Sequence, residues 1–412
     1  MATASPSHPL ALAAFAGPVI ALYAPLGMAP LFIVVGLATL ALAWKRRPWR
    51  GVDRRVALIL GTMLAWAALS LTWALDPPQG MKTLAGLIGI TGGGLLLTGT
   101  AATLDESERR RVGMALAAGV TLALLLVLAE IAGLGPKSLL RPDDRNVVDR
   151  LGRGLTVAAV LAAPSMVAAW RQGHRAWTAG MALLLVAATI GGHTLSAKLA
   201  LLVCPPVFAL ALWRPRLAAW GVSGVAVTIA LAFPLLSMAP TPQETMDCYS
   251  FLPNSAHHRL TIWTFTATRT MEKPLFGWGL DASRSLPGAE DIIKVWRREN
   301  LPAWLIPNGE LVTEQLLPLH PHSGQGQIWL ELGGVGITLL SGLLLGLGRM
   351  ALRRSIRIDT AVLATMTISA FLISSVSYGI WQSWWLSSLW LAASLARASM
   401  PLPDGNHDGA QA

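Results

Sequence analysis

The sequence predicts an all-α, polytopic integral membrane protein with about 12 transmembrane helices and one large loop near its C-terminal third. Three observations carry that reading. Hydrophobic residues make up 53% of the 412 residues and charged residues only 13%, where a soluble domain carries about 25% charged residues. Apolar runs close to the length of about 20 residues that a bilayer-crossing helix needs recur along the whole chain. The basic residues fall in the short segments between those runs, so the net charge of +10 is explained by lipid head groups and topology rather than by nucleic acid.

In chain order the apolar runs lie near 9–25, 29–44, 56–74, 84–102, 112–133, 154–170, 177–192, 197–213, 217–238, 326–348, 359–377 and 380–396. Several are short, and Pro25 and Pro30 blur the first junction, so the count carries a margin of about two. The first run lacks a basic start and reads as a retained helix, not a cleaved signal. Placing the N-terminus in the cytoplasm puts Lys45, Arg46, Arg47, Arg50, Arg54, Arg55, Arg109, Arg110, Arg111, Arg171, Arg175, Arg214, Arg216, Arg349, Arg353, Arg354, Arg357 and Arg397 on the inner side. The short outer connections at 25–29, 75–83 and 378–380 then hold Lys82 alone, which is the positive-inside pattern. The expected organisation is one membrane domain over residues 1–400, with a polar, disordered cytoplasmic tail over 401–412. Cys204 sits in an apolar run and Cys248 in the loop, so no disulfide is expected.

The outer segments 134–153 and 238–325 break the charge pattern. Long loops translocate whatever their charge, but basic residues kept outside call for a further reason, and anion binding supplies one. Within 238–325, Asn254 or Ser255 can cap a helix running to about Lys273. Leu260, Trp263, Ala267 and Met271 share its helical spacing, and that face is expected to pack on the bundle rather than lie on the membrane. Downstream come His320-Pro321-His322-Ser323 and an apolar helix bearing Gln327 and Glu331, four apart and so on one face. A carboxylate at a membrane helix end is costly unless it faces protein or water, so Glu331 either points into a polar cavity or is a buried, paired structural residue.

His322-Ser323, nine residues, then Gly333-x-x-Gly336 resembles the signature of the bacterial O-antigen ligase and O-antigen polymerase superfamily. Arg259-Leu-Thr-Ile-Trp263, followed by Pro274-Leu-Phe-Gly277-Trp-Gly279, is similar to that family's Arg-x-x-x-Trp helix and Pro-x-Phe-Gly-x-Gly segment. Arg153-Gly154 and Ser196-Ala-Lys198, each at a helix start, look like two further family positions. The family often has Arg where this chain has Lys198 and Asn where it has Gly152.

The resemblance implies a metal-independent, inverting glycosyltransferase in the bacterial inner membrane with its active site facing the periplasm. Such enzymes take a glycan from undecaprenyl diphosphate. Ligases place it on a lipid A-core sugar, and polymerases place it on another lipid-linked repeat of O-antigen or exopolysaccharide. The residues fit that chemistry. Arg259, Arg153 and Lys198 are the candidates to hold the departing diphosphate, because a guanidinium fork matches phosphate oxygens. His322 is the candidate base for the acceptor hydroxyl, with an unperturbed pKa of about 6.5. Glu331 is the candidate to orient its imidazole.

Other readings stay on the page. His257, His258, His320 and His322 share one loop, and a His-x-His pair with a third His is a zinc-type set. No acidic or Cys ligand stands at a familiar spacing, so no metal or other cofactor is expected. A transporter of lipid-linked glycans is the rival from another class, but such proteins often show internal repeats and none is seen here. The expected partners are the lipid-linked donor, the glycan acceptor and membrane lipids.

Overall fold

In a computed structural model of the protein, the described residues are 5–401 apart from 142, 145, 250, 251, 298–309 and 355. The expected tail therefore lies, from residue 402 on, outside the described residues. The helices are α1 (Ser7–Tyr23), α2 (Met28–Ala43), α3 (Arg54–Ser70), α4 (Pro77–Ala101), α5 (Glu106–Ile131), α6 (Pro136–Leu140), α7 (Val147–Arg150), α8 (Gly152–Arg171), α9 (Arg175–Gly191), α10 (Leu195–Trp213), α11 (Pro215–Ala232), α12 (Pro242–Cys248), α13 (Asn254–Glu272), α14 (Gly324–Leu352), α15 (Arg357–Val376) and α16 (Ser383–Ser399). The protein is an all-α, multi-pass membrane protein.

Each of the twelve apolar runs falls on one helix: α1 to α5, α8 to α11 and α14 to α16. Eight stretches among the described residues are long and apolar enough to cross a membrane. Length accounts for part of the shortfall from about twelve: α1 and α9 are apolar but short, whereas α3 and α16 are both short and less apolar. The helices α1, α3, α9 and α16 have 17 residues each, which at about 1.5 Å per residue falls a little short of a hydrocarbon core of about 30 Å.

Local sequence sets the helix starts. Asp53 accepts hydrogen bonds from the backbone of Arg55 and Val56 ahead of α3, and Asp105 and Glu108 form a reciprocal capping box on α5. Ser323 accepts from the backbone of Gly326 and caps α14. The start of α13 differs from expectation. Pro253 is the N-cap, and no side-chain capping bond is made there.

Two apolar cores run through the bundle. One joins α1, α2, α4, α5, α8 and α16, and the other joins α3, α11, α14 and α15. A third, smaller cluster seats the loop: Ile262 of α13 packs with Leu286, Ala289, Leu317 and Leu330. As expected, α13 packs on the bundle. Its buried face overlaps the expected stripe only at Ala267, with Leu260 and Trp263 half-buried. Ile262, Thr266, Ala267 and Thr270 are buried while Met271 is exposed. Thr266 and Thr270 satisfy their hydroxyls on the carbonyls four residues back, which is how a polar face can be buried.

The loop also holds a two-stranded antiparallel sheet that the helical reading did not contain. Its strands are β1 (Ile292–Arg297) and β2 (Glu310–Gln315), with Val295 opposite Val312. Glu314 of β2 accepts from Thr261 of α13 at 2.5 Å, which pins the hairpin to the helix. Cys204 and Cys248 are both free thiols.

Candidate active site

The site is assembled where four pieces of chain meet at one end of the bundle: α13, the segment 320–323, the start of α8, and the connection 377–382 between α15 and α16. Helical spacing explains the α13 contribution. Arg259 and Trp263 are four apart and share a face. The Trp263 indole N–H donates to the Pro321 carbonyl at 3.0 Å. That bond ties the helix to the histidine segment and brings the Arg259 charge within reach of His322 and Tyr378.

His322 occupies a left-handed backbone conformation, φ +51°. This is uncommon for a residue with a Cβ and marks a position held by its surroundings. Its Nδ1–H donates to the Ser377 carbonyl at 2.8 Å. A carbonyl can only accept, so Nδ1 carries the proton and, in the neutral ring, Nε2 is left with a lone pair. The His320 ring lies against it with centroids 4.3 Å apart, and His320 Nε2 meets the Gln382 amide at 2.9 Å.

The electrostatics keep both rings neutral. Burial pulls His322 below its ordinary value; the Ser377 bond opposes this, and Arg259 and His258 pull it further down. His320 is lowered to about 3, by burial first and then by His322, Arg284 and Arg153. Burial also lowers Arg259, against a raising influence from Tyr378. Among the described residues Arg259 has no carboxylate partner. Arg153 has none either, and its guanidinium stands 5.5 Å over the Trp384 ring, a cation–π contact that positions the charge without neutralising it.

Lys198 is not brought into this group. It is exposed on the second turn of α10, whose start touches α8, since a Cβ on Gly152 would meet Thr194 at 2.6 Å. That places it at the same end, but no contact links its ammonium to His322.

The reading of Glu331 needs correction. Its carboxylate does not orient His322, a task that falls to the Ser377 carbonyl. Nor does it face a polar cavity. Glu331 is fully buried and accepts four hydrogen bonds: from the Asp281 backbone at 2.6 Å, Ser283 Oγ at 2.5 Å, Gln327 Nε2 at 2.9 Å and Trp381 Nε1 at 2.6 Å. The 327–331 pairing on one face does occur. Gln327 also accepts from the backbone of Ile380 at 2.9 Å, so the pair braces the loop after Gly279 and the 377–382 connection from below.

The motif glycines explain how the brace is built. Helix α14 breaks at Gly333, φ +64° and ψ −159°, a conformation that excludes other residues on steric grounds. The break exposes backbone groups that the segment 274–279 satisfies. Trp278 and Gly279 donate to the Leu330 and Glu331 carbonyls at 2.8 and 2.9 Å, and Gly334 donates to the Pro274 carbonyl at 2.8 Å. Gly277, φ +70°, lies so close that a Cβ would sit 2.5 Å from the Glu331 carbonyl. Gly279, φ +96°, abuts Ala74, and Gly336 follows the break, where Leu332 crowds it.

Several site residues were not legible in the motifs. Tyr378 bonds Thr156 at 3.0 Å and stacks beside Trp384 and Trp385. Arg284 adds a cation beside His320 and pairs with Asp281 at 3.2 Å. Asp281 is itself held by Gln79 and Thr83. His257 and His258 each spend a ring nitrogen on a backbone carbonyl, of Tyr249 and Gln315. Among the described residues no group of three His, Cys, Asp or Glu side chains is arranged to hold a metal.

Comparison with known proteins covers much of this ground. Residues 180–341 match the family model described as O-Antigen ligase. The chain is 32% identical over 166 residues to a protein of Rickettsia conorii named "Putative polysaccharide ligase", the match covering 40% of this chain and 37% of that protein. Similar matches reach proteins of the same name in Rickettsia prowazekii, 31% over 166 residues, and Rickettsia felis, 34% over 170 residues. Each of these covers 40% of this chain and 38% of the relative. The family resemblance read from the motifs holds over that stretch, which contains every candidate residue except Arg153.

Proposed function

We propose, for a chain whose residues 180–341 are O-antigen ligase family sequence, that it transfers a glycan from a lipid-diphosphate carrier to a sugar hydroxyl on the outer face of the bacterial inner membrane. The donor in this reading is undecaprenyl-diphosphate-linked glycan and the acceptor is a lipid A-core sugar. The carrying observation is the pairing, among the described residues, of a neutral imidazole, its Nδ1 committed to Ser377 and its Nε2 unclaimed, with an Arg259 guanidinium whose charge reaches it and which has no carboxylate partner there.

The steps follow from those two groups. The acceptor hydroxyl gives its proton to His322 Nε2 as its oxygen attacks the anomeric carbon. The bond from that carbon to the diphosphate oxygen breaks, and the electron pair leaves with the diphosphate. Arg259 and Arg153, with Lys198 at the margin, take up the charge that develops. Because guanidiniums do this, the reading needs no metal, and a single displacement inverts the anomeric centre. Glu331 holds the floor of the site and does not touch substrate.

The test is transfer of lipid-linked glycan by purified protein at matched amounts. His322→Ala should abolish it, and undiminished transfer would remove the base from the proposal. Acceptor choice separates ligase from polymerase. A deletion strain that accumulates lipid-linked polymer and makes rough lipopolysaccharide supports the ligase. Lipopolysaccharide capped by a single repeat, or loss of exopolysaccharide, points to the polymerase.

A further inference from the structure

At the end of the bundle opposite His322, the first turns of α5, the last turn of α8 and the end of α16 at Ser399 and Pro401 line an open cavity of about 300 Å³. Its walls include Arg109, Arg110, Arg171, Gln172, Glu106 and Gly113. Arg153 and Arg171 stand near opposite ends of α8, about 27 Å apart at about 1.5 Å per residue, so this cavity is distinct from the site above.

The charges around the cavity are not balanced. Arg109 is buried and gives its N–H groups to the carbonyls of Leu104, Arg397, Met400, Ala101 and Ala102. Those bonds satisfy its donors but leave its charge, and Arg354 and Arg397 stand close enough to repel it. Arg171 and Arg354 share a single carboxylate, Asp359, at 2.5 and 3.6 Å. Among the described residues, Arg171 of the wall has its Nη1 buried without an acceptor, and Arg354, which is not on the wall, has its Nε buried in the same way. Arg110 is bonded to the neutral Gln172 amide at 2.8 Å. Glu106 is the acidic member of the wall, while nearby Glu108 is occupied by Arg46 at 2.7 Å.

We infer that this cavity is a second anion site that takes a phosphate group, supplied by an anionic phospholipid head group or by free phosphate. Guanidiniums with unfilled donors match phosphate oxygens in geometry and charge. The cavity also opens at the ends of helices long enough to cross a bilayer, the depth at which lipid phosphates lie.

The experiment uses full-length protein in nanodiscs of phosphatidylcholine alone, the same discs with added inorganic phosphate, and discs containing phosphatidylglycerol. Thermal unfolding is read in each, and retained lipid is measured by native mass spectrometry. Phosphatidylglycerol should raise Tm by several degrees and be retained, if the head group is the source; a rise with inorganic phosphate instead assigns the site to the free ion. Arg110→Gln, which breaks only the bond to Gln172, should leave Tm in phosphatidylcholine unchanged and reduce the gain. Arg110→Glu should abolish the gain. Arg171→Gln, which also disturbs Asp359, is read by retained lipid rather than Tm. No gain from either anion, or a gain and retention that survive in Arg110→Glu, overturns the inference.

Discussion

Two layers at the same end of the bundle handle polar groups in opposite ways. Around Glu331 every oxygen is answered: four donors converge on a carboxylate with no exposed surface. At the same end, among the described residues, Arg259 and Arg153 have no carboxylate partner and His322 Nε2 has no partner. A buried polar group is tolerated when satisfied and costly when not. A satisfied layer, here the floor, beside unpaired cations, here the rim, is therefore the arrangement expected of a rigid support for the anionic donor proposed above. The difference also divides residues that hold the fold from residues that do chemistry, and mutations can break the two layers separately.

The largest effect should come from the floor. Glu331→Ala leaves four buried donors without an acceptor, each costing about 1–3 kcal/mol. The sum is comparable with a typical total stability of about 5–15 kcal/mol. Folded protein in the membrane should fall severely, as read by detergent-resistant yield and unfolding temperature, and transfer per folded molecule should change far less. Glu331→Gln keeps the shape and should recover part of the yield. If Glu331→Ala folded normally and abolished transfer, the carboxylate would belong to the rim after all.

The rim should show the reverse. His322→Ala should lower transfer by about 10²–10⁴-fold, the usual span for a general base, with unfolding temperature little changed. Arg259→Ala should lose transfer too. Arg259→Lys should recover only part of it, because an ammonium lacks the planar fork. A rim variant that unfolded as readily as Glu331→Ala would collapse the distinction between the layers.

Next comes the seam between the layers. Gly333→Ala adds a Cβ that would lie 2.4 Å from the Leu275 carbonyl, at a positive φ, so both sterics and backbone strain oppose it. A cost of about 1–3 kcal/mol is expected from the strain alone. Gly336→Ala has no positive φ to strain, but its Cβ would lie 2.4 Å from Leu332 Cβ, an atom tied to the backbone, so it should also destabilise, through sterics alone and therefore by less. Comparing unfolding temperatures of the two variants checks the order.

How far the sequence disclosed these layers depended on the range of the interactions. The helices were legible because span length is a local property: each apolar run from 9–25 to 380–396 became one helix. His322, Arg259 and Trp263 were legible as a motif, and the structure supplies its logic in the Trp263–Pro321 bond. The role of Glu331 was misread because spacing along α14 reveals its neighbour Gln327 but not Asp281, Ser283 or Trp381, which arrive from other parts of the chain. Gly277 and Gly333 were visible as motif positions, but their pairing across 55 intervening residues is a tertiary fact. The strands at 292–297 and 310–315 were missed in a loop without a clean period-two pattern.

The smallest and sharpest test concerns pH, because it separates the rim from any structural histidine. His322 sits below its ordinary value, through burial first and then the Arg259 and His258 charges. The neutral, base-competent ring therefore persists below about 6.5, and kcat/KM should fall only as pH drops through the lowered value. Removing a nearby positive influence moves that limb upward: His258→Gln should shift the acid limb of the profile toward the ordinary value while leaving the plateau rate nearly unchanged. Stability follows the same sign. Folded His322 and His320, the latter near 3, bind fewer protons than the unfolded chain, so stability declines as pH falls from about 6.5 toward 3. His322→Ala should flatten part of that decline. An acid limb that stayed fixed in His258→Gln would mean that a different group sets it, and His322 would lose its claim to the proton.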